Sequence, residues 1–589
     1  MSAPKLTEAT IRRLASDRSF SRGEEYYNSG AVSDLVRRGN SLQAQVEGSQ
    51  YEPYNVAVEL DAGGVAWASC TCPYEFGGYC KHIVAVLLTY IREPDRVIER
   101  RQASELLAGL RQDELLELLT RLLSEHPRLI DWIEMQLAAR AAVPSPDAAA
   151  GPRQRHALID PSSFRRQAQS VMTDSSRDYW AGNSVVDEMR KLADQARPFI
   201  EAGDGRNALL ILEAITSTYI DYWTEFDDSD GDLSDFFEEL GKLFAEAILS
   251  ADLSPEERKE WVERLWAWQE ELKDYGPDRE FCVAVTAAEQ GWDYPPLQRV
   301  MQGHIGERIW EEEVPPWYAC GLTELRLDVL ERQGKVNEYL NLARAEHQTV
   351  KYATMLVKLG RSREAMEYAL EHLVVSDQAL ALAKFLREHN LPIDALRIAE
   401  YGLMLGGVKN NLARWLRDFA VEMGRTDLAL EAARAAFADN TSLEDYLAVQ
   451  AIAEEEWPAI KPELLELIAA SRHHGSGKVD IYLHEGMIDE AIKEADRSYT
   501  SYIAVERVID AVWQTHPDWV IQQCRRHAES IMDEGKSKYY HRAVHWLEKA
   551  RRSYLASGRA DEWSKYLEGL IAQHARKRAL RSALEGLRR

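Results

Sequence analysis

A chain of 589 residues is several times the usual length of one domain, so several domains, or one domain followed by a repeat array, are expected. With 45% hydrophobic and 29% charged residues it is neither disordered nor fibrous, and a net charge of −26 excludes a protein that coats nucleic acid with its whole surface. The charge is uneven: residues 1–100 hold 11 Lys and Arg against 13 Asp and Glu, residues 541–589 hold 12 against 5, and the excess acid lies between them.

The N-terminus has no charged start leading into an apolar stretch and a cleavage site, and the longest apolar run, Ile83 to Leu88, is too short to span a bilayer. A cytosolic chain with no membrane association is expected. Six cysteines are too few for a disulfide framework in so long a chain. Three of them fall within positions 70–80 while Cys282, Cys320 and Cys524 stand alone, and that clustering points to a metal.

In chain order, residues 16–92 read as a small α+β unit. A short helix around Arg22 to Tyr27 ends at Ser29-Gly30, and period-two alternation follows. Leu42, Ala44 and Val46 share one strand face, and Val56, Val58 and Leu60 repeat the pattern. Asp61-Ala62-Gly63-Gly64 is a hairpin turn, and Val65 to Cys70 is the returning strand. After His82 the spacing of Ile83, Val86, Leu87 and Tyr90 predicts a helix with one apolar face, ending before Pro94. Domain limits follow as 1–97 for this unit, 98–140 for a helical extension and 141–155 for a linker rich in Pro, Ala and Gly.

From 156 to 589 the pattern is helical, and a short signal recurs: Gly, a few mostly polar residues, then a residue that opens the next helix against its neighbour. It occurs at Gly203, Gly334, Gly360, Gly424, Gly486 and Gly558, with Asn390 as a variant, and the residues that follow are Ala208, Tyr339, Ala365, Ala429, Ala491, Trp563 and Ala395. A left-handed residue closes a helix at least cost when it is Gly or Asn, and a small residue lets the next helix cross closely. The fold class is therefore mostly α: a small α+β domain followed by a long TPR-like α-solenoid.

The chemistry sits in Cys70-Thr71-Cys72, seven residues, then Cys80-Lys81-His82. Residues two apart at a strand end project to one side, so Cys70 and Cys72 can reach one ion, and Gly77 and Gly78 let the loop return with Cys80 and His82. Three thiolates and an imidazole make a closed tetrahedral set, the signature of one structural Zn²⁺ with no open position for a substrate. Lys81 and the helix-start amides are placed to offset the negative charge.

This arrangement closely resembles the SWIM zinc finger, Cys-x-Cys followed by Cys-x-His. Arg22-Gly23 with Tyr26-Tyr27, Gly30-Ala31-Val32 and Cys80-Lys81-His82-Ile83 extend the likeness to bacterial members, and the helical remainder is similar to long bacterial SWIM proteins of uncharacterised function. The resemblance implies a DNA-binding or protein-binding module.

Other signals are weaker. Gly475-Ser476-Gly477-Lys478 looks like part of a phosphate loop, but it lacks the glycine five residues before Gly477 and has Val479 where Ser or Thr should hold magnesium. His541 and His545 share a helix face without the Glu of a metalloprotease. Asp227, Asp228, Asp230 and Asp232 do not fit a calcium loop and read as a helix cap. Trp261, Trp266 and Trp268 read as helix-pair packing. No nucleophile with an adjacent base is visible, so no catalytic residue and no enzyme is predicted.

The expected function is a non-catalytic zinc-binding scaffold or adaptor, in which the finger recognises a protein or DNA and the helical repeats bind protein. The alternative is a DNA-binding subunit of a larger DNA-processing or remodelling machine, using Arg12, Arg13, Arg18, Arg22, Arg37 and Arg38, a set that Asp17, Glu24, Glu25 and Asp34 interrupt. The cations at Arg576, Lys577, Arg578, Arg581, Arg588 and Arg589 read either as a polar cap on the last repeat or as a docking tail, and oligomeric state is not indicated.

Overall fold

The computed structural model describes residues 6–48, 53–61, 64–72, 74, 78–126, 128–142, 158–175, 182–304, 309–310, 314–470, 476–497 and 501–588. It divides into two compact units, Met1–Arg140 and Ala141–Arg589.

In the first unit the side chains of Thr7 and Ser16 cap α1 (Glu8–Leu14) and α2 (Asp17–Asn28) by accepting from the Thr10 and Ser19 amides. Beyond Gly30 the chain runs through β1 (Val32–Arg38), β2 (Ser41–Val46), β3 (Tyr54–Asp61) and β4 (Gly64–Cys70) to α3 (Lys81–Arg92). Leu42, Ala44, Val46, Val56, Val58 and Leu60 are all buried, on the face that their alternation predicts. The sheet order is β4-β3-β2-β1-β5, antiparallel except for the last pair.

Two strands have no counterpart in the sequence reading. In β1 the register shifts between Ser33 and Val36, and Asp34 has φ +49, so the bulge hides the period-two signal. The two-residue β5 (Ile98–Glu99), at the start of the segment read as a helical extension, pairs in parallel with Val36 and Arg37. The one-faced reading of α3 is also corrected: all residues from His82 to Thr89 are buried. Helix α3 packs against α1, α2 and four strands of the sheet, so it is enclosed on more than one side.

Three helices follow: α4 (Ala103–Leu107), α5 (Gln112–Glu125) and α6 (Arg128–Ala142). The expected linker 141–155 lies outside the described residues apart from Ala141 and Ala142, which end α6.

The second unit is a TPR-like solenoid of stacked helical hairpins. At each expected turn the residue is left-handed: Gly203, Gly334, Gly360, Gly424, Gly486 and Gly558 have φ between +67 and +76, and Asn390 has φ +59. Each is closed by the same pair of hydrogen bonds. At Gly360 its own N–H donates to the Val357 carbonyl at 2.9 Å and the Arg361 N–H to Leu356 at 2.9 Å, a Schellman closure that satisfies two helix-end carbonyls. The residues opening the next helices, Ala208, Tyr339, Ala365, Ala395, Ala429, Ala491 and Trp563, are all buried.

Two further turns close the same way but escaped the sequence pattern. Gly303 is followed five positions on by Arg308 and not by a small or apolar residue, and His347, at φ +54, puts a side chain where the pattern demands Gly or Asn. In the helix Pro255–Leu272, Trp261 and Trp268 pack on Phe244 with ring centroids 5.6 and 5.5 Å apart, as expected. Trp266 departs from the expectation and is 47% exposed, because its position lies well round the helix from the Trp261, Leu265 and Trp268 stripe.

Among the described residues no helix is long and apolar enough to cross a membrane.

Candidate metal centre

The pairing of β3 with β4 sets Cys70 opposite Val56 at the last rung of the sheet. One residue further on, the Asn55 carbonyl takes the Thr71 amide at 3.1 Å and the Thr71 hydroxyl takes the Asn55 amide at 3.0 Å, which fixes the chain where it delivers Cys72. The return loop lies mostly outside the described residues, but its exit is pinned: Gly78 is left-handed at φ +86, and the Tyr79 amide donates to the Leu14 carbonyl at 2.8 Å. Cys80 then occupies the N-cap position of α3, and His82 lies in its first turn.

The four predicted residues come together. One ligand atom from each of Cys70, Cys72, Cys80 and His82 lies within 4.8 Å of all the others, and Cys80 and His82 are buried. Cys70 Sγ is 3.6 Å from His82 Nδ1. A tetrahedral zinc site with Zn–S of about 2.3 Å and Zn–N of about 2.0 Å has sulfur–nitrogen edges of about 3.5 Å, so this edge fits the ion, with Nδ1 as the donor. The donor set fits as well: three sulfurs and one imidazole nitrogen fill four positions.

With three sulfurs this close, their thiols titrate as a set. Hydrogen bonds from Cys70 and Cys72 push the Cys80 thiol far down, helped by His82 and the Ile83 amide at the start of α3. Hydrogen bonds to Cys72 and Cys80, with burial, push the Cys70 thiol up. A divalent cation held here would remove this conflict by taking all three as thiolates.

The sequence reading missed how His82 is held. Tyr54 stacks on its ring at a centroid distance of 4.4 Å and an interplanar angle of 25°, and the Tyr26 ring meets it edge-on at 5.2 Å. A side chain at Gly48 would lie 2.3 Å from the Tyr54 ring, so the glycine two residues beyond β2 makes room for that stack. A side chain at Gly23 would likewise lie 2.4 Å from Val84, which is why α2 can bring Tyr26 so near. Tyr26 and Gly23 belong to the motif that carries the family likeness; the roles of Tyr54 and Gly48 depend on strand pairing that only the fold supplies. Lys81 lies with Nζ 4.8 Å from the Tyr26 ring centroid, next to the centre it was expected to neutralise. His82 Nε2 is buried and has no hydrogen-bond partner among the described residues.

Comparison with known proteins agrees with this geometry: residues 54–91 match the SWIM zinc finger family. The first unit carries a SWIM zinc finger. A SWIM finger implies Zn²⁺, and the four-residue cluster is able to bind one ion. The chain is 34% identical over 147 residues, 23% of its length, to zinc finger SWIM domain-containing protein 8 of Bos taurus. It is 36% identical over 112 residues, 19% of its length, to the homologue of that protein in Drosophila melanogaster. It spans only 10% and 5% of these two relatives.

Among solved structures, yeast Tom70 aligns over 73% of this chain and 94% of its own at 10% identity and a TM-score of 0.17. A circular tandem repeat protein aligns over 73% and 90% at 16% identity and a TM-score of 0.16. Scores this low bear on neither fold nor function.

The residues set aside in the sequence have other work. Gly477 packs so closely that a side chain would meet the Thr441 carbonyl at 2.1 Å, and Lys478 is buried. Asp228 caps the helix Asp232–Ser250, accepting from the Leu233 amide at 2.8 Å and the Ser234 amide at 3.2 Å. His545 meets Glu506 on a helix surface. In the basic tail, Arg588 pairs with Glu568, Arg581 with Glu585, and Lys577 Nζ donates to the Met532 carbonyl at 2.7 Å. Those three cations act within the last helices of the array.

Proposed function

We propose that Cys70, Cys72, Cys80 and His82 ligate one structural Zn²⁺, and that the chain is a non-catalytic adaptor: the finger recognises a macromolecule and the helical repeats bind a protein partner. The closed four-donor cluster supports this most directly, because it ties the end of β4 to the start of α3 and leaves no position for a substrate. Metal analysis of the full chain should find one zinc. Cys72→Ser should hold less than about half an equivalent, as three donors bind far more weakly than four. Undiminished zinc in that variant would refute the ligand assignment. Stable protein complexes recovered with the full chain, and lost when the second unit is removed, are the outcome expected of an adaptor.

One observation favours DNA as the finger's ligand. Strand β5 brings Arg100 and Arg101 beside Arg37 and Arg38: the Arg100 amide donates to the Arg37 carbonyl at 2.8 Å, and Arg38 reaches the Arg101 carbonyl at 2.7 Å. This four-arginine edge is more compact than the set read from the sequence, in which Arg12 is drawn over Phe20 at 4.1 Å. Duplex binding by the full chain should be weak and fall steeply with salt, and Arg38→Glu with Arg101→Glu should abolish it. No binding at low salt would leave protein as the finger's ligand.

A further inference from the structure

Arg326, on the helix Ala319–Arg332, is among the largest fully buried side chains of the described residues. It is 0% exposed, and Leu322 and Leu330, about one turn to either side of it, are buried as well. A guanidinium carries five N–H donors and a charge that is costly to take out of water unpaired. Arg326 makes one hydrogen bond to the protein: Nη2 donates to Gln290 Oε1 at 2.5 Å, at the end of the helix Cys282–Gln290. Nε and Nη1 are buried and meet no acceptor among the described residues. Thr323, one turn earlier on the same face, repeats the anomaly: it is 0% exposed and its hydroxyl has no partner there either.

The charge is met no better than the donors. Glu346 is the carboxylate that acts on Arg326 most strongly, yet the two form no ion pair. Glu346 is engaged elsewhere, accepting from Trp310 Nε1 at 3.2 Å and from the Ile309 amide. Burial pulls the guanidinium down to about 10 against the pull of Glu346, so it is still a cation at neutral pH. Water would accept from the N–H groups and leave the charge unbalanced, whereas an anion answers both. The groups left over can all donate, which suits an acceptor carrying negative charge. Because the guanidinium is sealed from solvent, that acceptor is small.

We infer that Arg326 and Thr323 hold one small inorganic anion, a halide or an ion of similar size, within the core where the helices Cys282–Gln290 and Ala319–Arg332 pack together. The ion balances Arg326 where Glu346 does not, and it ties the hairpin closed by Gly334 to the helix Cys282–Gln290. It enters by local opening of that helix pair, so its binding slows the opening.

Hydrogen exchange of the zinc-loaded full chain, with gluconate replaced by bromide at constant ionic strength, tests this, since gluconate is too large for the site. Amides of the helices Cys282–Gln290 and Ala319–Arg332 should exchange several-fold more slowly in bromide, while those of the helix Tyr540–Ala556 report any general salt effect. Arg326→Met should lose the difference, and an apolar replacement of a buried charge often leaves a protein equally stable. Thr323→Val, which removes only the hydroxyl, should need several-fold more bromide for the same slowing. Crystals of the natural protein grown in bromide give a readout independent of any variant: anomalous scattering should place one ion within hydrogen-bond distance of Arg326 Nε or Nη1. Exchange that is the same in both anions overturns the proposal, as does a bromide effect that survives unchanged in Arg326→Met or Thr323→Val, or the lack of an ion at Arg326. A bromide found there without slower exchange is an adventitious ion only and overturns it as well.

Discussion

Tyr54 holds His82 by its ring face, with the imidazole clamped between it and the edge of Tyr26. An aromatic stack contributes about 1 kcal/mol beyond its buried area. Tyr54→Leu should therefore keep one zinc per chain but lose it to a competing chelator several-fold more readily than the natural protein. Equal retention would mean that the sulfurs alone fix the ring.

At the scale of elements, the hairpin turns of the second unit test whether backbone handedness sets their stability. An added methyl at Gly360 would meet nothing within 4 Å, so Gly360→Ala isolates the cost of φ +74, about 1 kcal/mol. His347 has the mirror situation at φ +54, and His347→Gly should be neutral to stabilising by up to about 1 kcal/mol. Chemical denaturation of both variants checks the pair.

A second element-scale contact is ionic. The side chain of Asp445, on the helix Leu443–Ala453, is fully buried. It takes Nε and Nη2 of Arg414, on the helix Asn410–Glu422, at 2.8 and 2.7 Å, and the Ser442 hydroxyl at 2.7 Å. Burial pushes the carboxyl up, but Arg414, Ser442 and Asn410 together hold it below the ordinary range. Its contribution is thus full above the unfolded value near 3.9 and is lost as pH falls through the lower folded value. Because Arg414 is 30% exposed, Asp445→Asn should cost about 2 kcal/mol at neutral pH rather than the 3–5 of a fully buried pair, and should flatten the acid limb of the stability curve.

At the scale of the molecule, each unit has a core of its own chain. One is made by the sheet and α3, and the cluster from Ala433 to Leu587 belongs wholly to the second unit. Removing zinc should unfold the first unit alone, since metal ligation supplies on the order of 10 kcal/mol to small zinc domains. Hydrogen exchange after chelation should show amides of β2, β3 and α3 losing protection while those of the helices from Ala319 to Ala470 keep theirs. Loss in both would mean that the second unit depends on the first.

The sequence by itself determined the four-residue Cys and His cluster, the alternation of β2 and β3, and the hairpin turns. Each depends on local rules: residue chemistry at fixed spacing, the period of a strand, and the low cost of a left-handed glycine. Tertiary structure alone decided the rest. Tyr54 reaches His82 because β2 and β3 pair in the register that sets Val46 against Tyr54 and leaves Gly48 bare beneath its ring. Arg38 and Arg101 become neighbours because a two-residue strand joins the sheet edge. The exposed face of α5 was invisible for the same reason: a leucine stripe reads as core in any sequence, and only the fold shows whether anything packs against it.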